Sequence, residues 1–399
     1  MITAFDPTGS ATSPVGYRAG AAFAGIKTYG EGKLDLGILL SDHPAAAAGV
    51  FTVTRLHGAA IDVDRERLAG GQGRAVVVNS GNANDSTGER GIRDAYRMAE
   101  IAAEKVGIPA EAMFVCHTGV IGHYLPMDKI EAGIETVELS ARSGPEFARA
   151  IMTTDLVPKH CSVRFGPYTL GGCAKGSGMI HPNMATMLAY LTTDAPIDQD
   201  TLQTALTESV NRSFNLITVD GDTSPSDTVL LFANGAAGGD PITTDSDNYA
   251  DFREALDTVC IYLAKAIARD GEGATRLIEV TVSGAASDAD ARRLVRDIGT
   301  SPLVKTAVHG ADPNWGRIVG VIGRSEVAIM EEEVTVSVCG HRLFERTVPI
   351  PYEEAEVSRA MSGDEVTIDV SLGAGSASAT GWTCDLTAEY IRINADYTT

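Results

Sequence analysis

The stretch Lys175-Gly-Ser-Gly-Met-Ile-His-Pro-Asn-Met-Ala-Thr-Met-Leu-Ala-Tyr190 decides how the rest of the chain is read. Gly176 and Gly178 allow a positive φ or a close backbone approach. Pro182 fixes its own φ and pushes His181 towards extended geometry, so the segment is a shaped loop rather than a helix. Met184-Ala-Thr-Met-Leu188 then places one hydroxyl inside an apolar run. A threonine in such a run is most often core packing or half of a cross-strand pair. As a nucleophile it needs an adjacent base, which its own α-amino group supplies once the peptide bond before it is cut. The Gly-Ser-Gly matches neither phosphate-binding glycine pattern.

Extended to Ala174–Ala195, the string closely resembles the self-cleavage segment of the glutamate N-acetyltransferase/ornithine acetyltransferase family of arginine biosynthesis. Members are made as one chain and cut themselves at an Ala-Thr bond, here Ala185–Thr186. The resemblance implies an α-chain of residues 1–185 and a β-chain of 186–399, with Thr186 as the nucleophile.

Composition sets the outer limits. With 399 residues, 44% hydrophobic and 21% charged, the chain is long enough for two or three structural units and reads as soluble and globular. A formal net charge of −21 without a basic face argues against nucleic-acid or anionic-membrane partners. No apolar run of about 18 residues is present to span a bilayer, and the N-terminus has no signal-peptide pattern. The six cysteines (116, 161, 173, 260, 339 and 384) have no C-x-x-C spacing, which fits free thiols in a reducing cytosol. A cytoplasmic protein is expected.

Taken in order, residues 1–70 predict short strands and turns. Ala75–Val78 predicts a strand buried on both faces, followed by a polar loop over Asn79–Gly88. Ile92–Val106 carries a helical stripe of Ala95, Met98, Ala99 and Ala102, with Gly107 and Pro109 as the stop. A strand end at Phe114-Val115 runs into Cys116-His-Thr-Gly-Val-Ile-Gly122, where Gly119 permits close backbone approach. On its own this is a strand-to-helix turn or a ligand-facing loop. Helices are expected at Asp128–Val137 and Pro145–Met152, and a hairpin at Ser162–Phe165 and Tyr168–Leu170. Past the central stretch come a strand Met187–Thr193, a helix Thr201–Val210, and strands Leu216–Val219 and Thr228–Phe232. The aspartates between those last strands lack the EF-hand spacing and read as turn chemistry. A long helix over Asp247–Arg269 ends at Asp270-Gly-Glu-Gly-Ala-Thr275. Ile278–Ser283 opens a smaller α/β lobe, about 280–399, with a helix Asp288–Ile298 and strands Leu303–Val308, Val334–Val338 and Val366–Val370.

Several of these segments also resemble the family. Thr118-Gly-Val-Ile-Gly122 is similar to its oxyanion-hole loop, which implies that Thr118 and Gly119 hold the negative oxygen of a tetrahedral intermediate. Gly271-Glu-Gly-Ala-Thr275 implies a substrate-binding Glu272, a partner for an amino acid's ammonium. Thr153, Lys175, Asn394 and Thr399 are implied substrate contacts, Lys175 for a carboxylate. Asp312-Pro-Asn-Trp-Gly-Arg317 is a further family hallmark, read as architectural. The departures are Cys116-His117 before the oxyanion threonine, Leu216 where arginine is common, and Pro225-Ser226 where Thr-Asn is frequent; the last two bear on specificity.

The fold implied is the family's α/β sandwich of stacked sheets flanked by helices, similar to N-terminal-nucleophile hydrolases. The activity implied is acetyl transfer from N-acetylornithine to glutamate through an acetyl-Thr186 enzyme with ping-pong kinetics, without cofactor or metal. Some members also use acetyl-CoA. The implied assembly pairs two α with two β chains. Alternatives are a paralogous acyltransferase with another amino-acid acceptor, a self-processing aminopeptidase or amidase, and a non-catalytic binding protein on the same scaffold.

Overall fold

The computed structural model describes residues 2–27, 32–181 and 187–396. Nine strands share one hydrogen-bonded sheet: β1 (Ile2–Asp6), β2 (Tyr17–Ala22), β3 (Leu36–Phe51), β4 (Gln72–Asn82), β5 (Met113–Val120), β6 (Lys159–Phe165), β7 (Tyr168–Lys175), β8 (Leu188–Thr193) and β9 (Thr228–Ala233). Their order is β1-β6-β7-β8-β9-β3-β4-β5, with β2 beside β3.

The long strand β3 belongs to both halves of this sheet. Its first residues pair with β2 and β4, and Ala46–Phe51 pair with β9. The register with β4 shifts between Leu40 and Ala45, the kind of irregularity that bends a strand. The two halves therefore stack face to face. Val76, Val78, Phe114 and Cys116 from one meet Cys173, Tyr190, Leu230 and Phe232 from the other, all buried in one cluster. Phe114 and Phe232 sit edge to face at 5.6 Å between centroids, geometry favoured by the ring quadrupoles.

Helices cover both outer faces. Gln199–Arg212, capped by Asp198 accepting the Thr201 amide, and Tyr249–Arg269 lay Leu202, Leu206, Val259 and Leu263 on β6–β9. Ala59–Ala69, Gly88–Val106 and Met127–Thr136 cover Ile38, Leu40, Val77 and Val115 on the other half. Gly107, in the left-handed region at φ +72°, ends the second of these as its sequence implies. The expected α/β sandwich of stacked sheets between helices is present, with both layers drawn from one continuous sheet.

A second, six-stranded sheet contains β10 (Leu277–Ala285), β11 (Thr335–Val338), β12 (His341–Glu345), β13 (Val348–Pro349), β14 (Glu365–Ser371) and β15 (Ala377–Cys384), in the order β13-β12-β11-β14-β10-β15. It has its own core, containing Val280, Leu294, Ile318, Val336 and Ile368. It is tied to the first layer system through an Ile217–Trp382 bridge and the burial of Leu277 and Trp382 in the larger core. Trp315 stacks on Phe344 at 5.2 Å and the Arg317 guanidinium donates to the Leu303 carbonyl, so Asp312–Arg317 serves the packing of this lobe.

Four local expectations are corrected. Leu303–Val308 is not a strand but part of the helix Pro302–His309; Ser301 caps it and Pro302 occupies the first turn, a start signal that outweighs two valines. Leu216–Val219 is not a strand: Phe214–Leu216 form a 3-10 turn and only Ile217 bridges to the second sheet. Residues 1–70 hold the 16-residue strand β3 and the helix Ala59–Ala69 rather than short strands and turns alone. β4 continues to Asn82, so the polar segment after Val78 is partly strand. The cysteines are free, and all but the half-buried Cys339 are buried. No described helix is long and apolar enough to cross a membrane.

Candidate active site

A cleft of about 710 Å³, partly open to solvent, lies at the ends of β5 and β7. Its described walls include Thr118, Gly119, Thr153, Gly178, Asp220, Glu272 and Asn394. β4 and β5 run parallel, with Ser80 opposite Thr118 and Gly81 opposite Gly119. Gly119 has φ +133°, and a Cβ there would meet the Gly81 carbonyl carbon at 2.3 Å and the Asn82 nitrogen at 2.5 Å. Only glycine fits, which leaves its backbone bare at the cleft surface. The Lys175 ammonium donates to Thr118 Oγ1 at 3.3 Å. Since that oxygen accepts from Lys175, the hydroxyl's own hydrogen is free to donate elsewhere.

His117, just before this pair, is buried. Its Nδ1 lies 2.6 Å from the Asn79 side-chain oxygen, whose amide nitrogen donates to the Asn82 carbonyl, so the network assigns the hydrogen to Nδ1. Burial pushes its pKa down to about 3 and keeps it neutral at physiological pH. The unusual Cys116-His117 pair is thereby accommodated as an uncharged strand partner of Asn79.

The Lys175–His181 turn is shaped by its neighbours. A Cβ on Gly178 would fall 2.4–2.5 Å from the Glu272 carboxyl group, so glycine here makes room for that side chain. Met179 takes φ +55°, a conformation that costs a side-chain-bearing residue about 1–3 kcal/mol. Asp220 holds it by accepting the Met179 and Ile180 amides at 2.6 and 2.9 Å. The Glu272 amide donates to the Ser177 carbonyl, and the Ser177 hydroxyl to the Asp270 carbonyl. Glu272 itself accepts from Asn394 Nδ2 at 2.7 Å, which brings the C-terminal helix Ala388–Asp396 to the cleft. Tyr390 of that helix also lines it; burial, with Asp220 and Glu272 nearby, keeps its phenol protonated.

Behind this wall lies an almost dry ion-pair network. Lys159 Nζ donates to Asp155 at 2.7 Å and to Asp270 at 2.6 Å, and none of the three side chains is more than 7% exposed. Asp155 also accepts the Thr153 and Gly176 amides. Burial would raise the Asp155 pKa, but Lys159, Lys175 and the Gly176 amide hold it below the usual carboxylate range. Asp270 accepts the Leu156 and Val157 amides. Thr153 is therefore fixed on the cleft rim by the carboxylate that also anchors Lys159.

A family model, the ArgJ family, matches residues 18–399. The chain belongs to the ArgJ family. Among curated relatives, the arginine biosynthesis bifunctional protein ArgJ of Dehalococcoides mccartyi is 47% identical over 397 residues, covering 98% of each chain. That of Bacillus subtilis is 46% identical over 397 residues, covering 98% of this chain and 97% of its own. A crystal structure of the ArgJ protein of Bacillus halodurans is 44% identical, with a TM-score of 0.51, and covers 52% of this chain and 98% of that one.

In this ArgJ-family chain, Thr118, Gly119, Thr153, Glu272 and Asn394 converge on the one cleft. Lys175 does not stand among its described lining residues: it is 1% exposed and sits behind Thr118. Burial lowers its pKa, against the pull of Asp155, Asp227 and Glu272. Ala185, Thr186 and Thr399 lie outside the described residues. Met187, next after Thr186, is described: its amide donates to Asp227 Oδ1 at 2.8 Å and its carbonyl accepts from the Thr228 amide. Sequence reasoning missed Asp155, Lys159, Asp270, Asp227 and Tyr390. Asp155, Asp227 and Asp270 stood in segments read as turns or motif edges with no role assigned to them, and Lys159 and Tyr390 carried no local pattern. Among the described residues no group of His, Cys, Asp or Glu is arranged to hold a metal.

Proposed function

We propose that the chain cuts itself between Ala185 and Thr186 and then works as an N-terminal-threonine acetyltransferase of arginine biosynthesis. Acetyl passes from N-acetylornithine to Thr186 Oγ, ornithine leaves, and glutamate takes the acetyl group in a ping-pong sequence. The freed α-amine of Thr186, with a reference pKa of about 8, serves as general base. The Gly119 amide and the Thr118 hydroxyl hold the oxyanion, a role in which one donor is worth ~3 kcal/mol. Glu272, steadied by Asn394, takes the substrate ammonium. Lys175 supplies positive charge from behind Thr118 for the carboxylate end, and Thr153 and Thr399 add further contacts.

The observation that carries this reading is the meeting of Thr118, Gly119, Glu272 and Asn394 at one cleft, with β8 beginning two residues after Thr186 and pairing at Leu188 with Lys175, which donates to Thr118. Family membership adds the chemistry, through the relatives named as bifunctional proteins of arginine biosynthesis. The Bacillus halodurans chain spans about half of this one, the size of one product of such a cut. Two α and two β chains in a cytoplasmic assembly are the expected mature form, and acetyl-CoA is a further candidate donor.

The test is intact mass under denaturing conditions for wild type and Thr186→Ala, followed by product analysis with N-acetylornithine and glutamate. Two fragments meeting at 185/186, an uncut variant, and acetylglutamate as product are expected. An active but uncut wild type would refute the amine mechanism, and free acetate in place of acetylglutamate would make the enzyme a hydrolase.

A further inference from the structure

Lys175 stands in a place that the role implied by its resemblance does not explain. It is the last residue of β7, is 1% exposed, and is not among the described residues of the cleft wall. Thr118 is: it lines the cleft from β5, itself only 2% exposed. The contact that the buried ammonium makes is with this residue, at 3.3 Å from Nζ to Thr118 Oγ1.

That contact fixes a direction. An ammonium has three donors and no acceptor, so the Thr118 oxygen must accept and its hydrogen must point away from Lys175. β-branching leaves the threonine few rotamers, and its backbone is held in register opposite Ser80. A hydrogen bond from a charged donor is also stronger than a neutral one, and it polarises the next bond along the chain. Thr118 is therefore both aimed and strengthened as a donor.

The surroundings supply the charge that this needs. Lys159 is shared by Asp155 and Asp270 at 2.7 and 2.6 Å, one ammonium for two buried carboxylates. A buried network with an unbalanced charge is costly, and Lys175 is the second cation that balances it. Asp155, with the Gly176 amide on it, is held below the usual carboxylate range by Lys159 first and Lys175 next. Among the described residues, no carboxylate makes an ion pair with Lys175 itself, so its charge is not spent on a direct neighbour and acts on Thr118 in a nearly dry setting.

We propose that Lys175 is a positioning residue that acts through Thr118, aiming and polarising its hydroxyl as a hydrogen-bond donor to the cleft without touching the substrate. The proposal rests on the reading of Thr118 and Gly119 as oxyanion donors, and it places the main effect of the Lys175 charge there rather than at a substrate carboxylate.

The experiment is a double-mutant cycle on the full chain: wild type, Lys175→Met, Thr118→Val and the two together, assayed for transfer from N-acetylornithine to glutamate. Losing an oxyanion donor costs roughly 10²–10³ in kcat, and a residue that only tunes this donor can cost no more. Lys175→Met should therefore lower kcat roughly 10- to 100-fold with little change in KM, the pattern of an interaction made only in the transition state. In the Thr118→Val background the same change should cost no more than about two-fold, because its route is gone. Lys175→Gln, which keeps an N–H donor without the charge, should fall between wild type and Lys175→Met, and it carries the cycle if thermal unfolding shows that Lys175→Met does not fold. Where a variant cuts itself too slowly for turnover assays, the cycle is read on the rate of the cut, by denaturing intact mass at timed intervals, with the same pattern expected. A raised KM at unchanged kcat would make Lys175 a direct substrate ligand and overturn the proposal. So would a loss larger than that of Thr118→Val, or a full further loss in its background. Wild-type kcat in Thr118→Val would instead remove the oxyanion reading beneath the proposal, and a wild type that makes no acetylglutamate would remove the transfer reading.

Discussion

Replacing Gly178 with alanine should damage substrate binding without damaging the fold. The added Cβ would lie 2.4 Å from Glu272 Cδ and 2.5 Å from each carboxylate oxygen. Ordinary contact needs about 3.5 Å, so the carboxyl group must retreat by about 1 Å. The Asn394–Glu272 hydrogen bond, 2.7 Å long, does not survive that retreat. Gly178 does not take a positive φ, so alanine adds no backbone strain, and the atoms that must move are the free end of a side chain. A hydrogen bond to a charged group contributes about 1.5–3 kcal/mol. At 1.4 kcal/mol per factor of ten, misplacing Glu272, the proposed ammonium partner, should lower kcat/KM roughly 10- to 100-fold, mostly through KM. Steady-state kinetics with N-acetylornithine, alongside thermal unfolding, measure both halves of the claim. The decisive control is the same change in a Glu272→Ala background. If Gly178 acts through Glu272, the second loss should nearly vanish, because residues in contact are not additive. A full additional loss there, or a wild-type KM in the single variant, would refute the reasoning.

The remaining predictions test separate parts of the site and fold. Lys159→Met leaves two buried carboxylates unpaired and should cost about 3–5 kcal/mol in urea unfolding near neutral pH. Because the Asp155 pKa is held below its ordinary value, the stability it contributes is present above about pH 4 and lost as pH falls through the folded value; the gap between wild type and Lys159→Met should therefore narrow in acid. Thr118→Val keeps the shape and removes the hydroxyl, and should lower kcat by roughly 10²–10³ with little change in KM, read from initial rates. Asp64, buried beneath the Val115 amide, has its pKa raised by burial to about 8. Folding then favours its protonated form, so its contribution is full below about pH 4 and is lost as pH rises to about 8. Asp64→Asn should gain on wild type as pH is taken from about 5 to 9, measured as the difference in urea midpoints.

The parts legible in the sequence were those where a local pattern matches a local structure. The apolar spacing of Ala95, Met98, Ala99 and Ala102 gives the helix Gly88–Val106, and Ala75–Val78 gives a strand buried on both sides. Residues whose burial comes from distant partners were less legible. Leu303–Val308 has strand-forming valines, but the Ser-Pro start and packing on the second core make it helical. β3 was hard to see as one element because its register breaks between Leu40 and Ala45 as it passes between layers. The candidate site divides the same way. Thr118, Gly119 and Glu272 stand in glycine-rich motifs that can be recognised. Lys159 and Asp270, 111 residues apart, are joined by a 2.6 Å ion pair that no spacing rule anticipates.

The cleft is built mainly from loops, ordinarily the mobile part of a fold, yet several loops in and around it are pinned by buried or half-buried carboxylates that accept backbone amides. Asp155 holds the Thr153 and Gly176 amides, Asp220 those of Met179 and Ile180, Asp270 those of Leu156 and Val157, and Asp385 those of Thr275 and Arg276. An acidic composition thus does structural work inside the molecule as well as on its surface. The same pinning bears on self-cleavage. Upstream of the proposed cut, Ile180 is fixed by Asp220 and by the Val219 amide donating to its carbonyl. Downstream, Met187 is fixed by Asp227 and Thr228, independently of the upstream segment. Residues on both sides, Ile180 and Met187, also belong to one hydrophobic core. Breaking one peptide bond between two such anchors would leave these described contacts in place, which fits the proposal that the new N-terminus works with Thr118, Gly119 and Glu272. On the proposed mechanism the freed amine must stay near those residues, and the anchoring of Met187 by Asp227 would limit how far the new end of the chain can move.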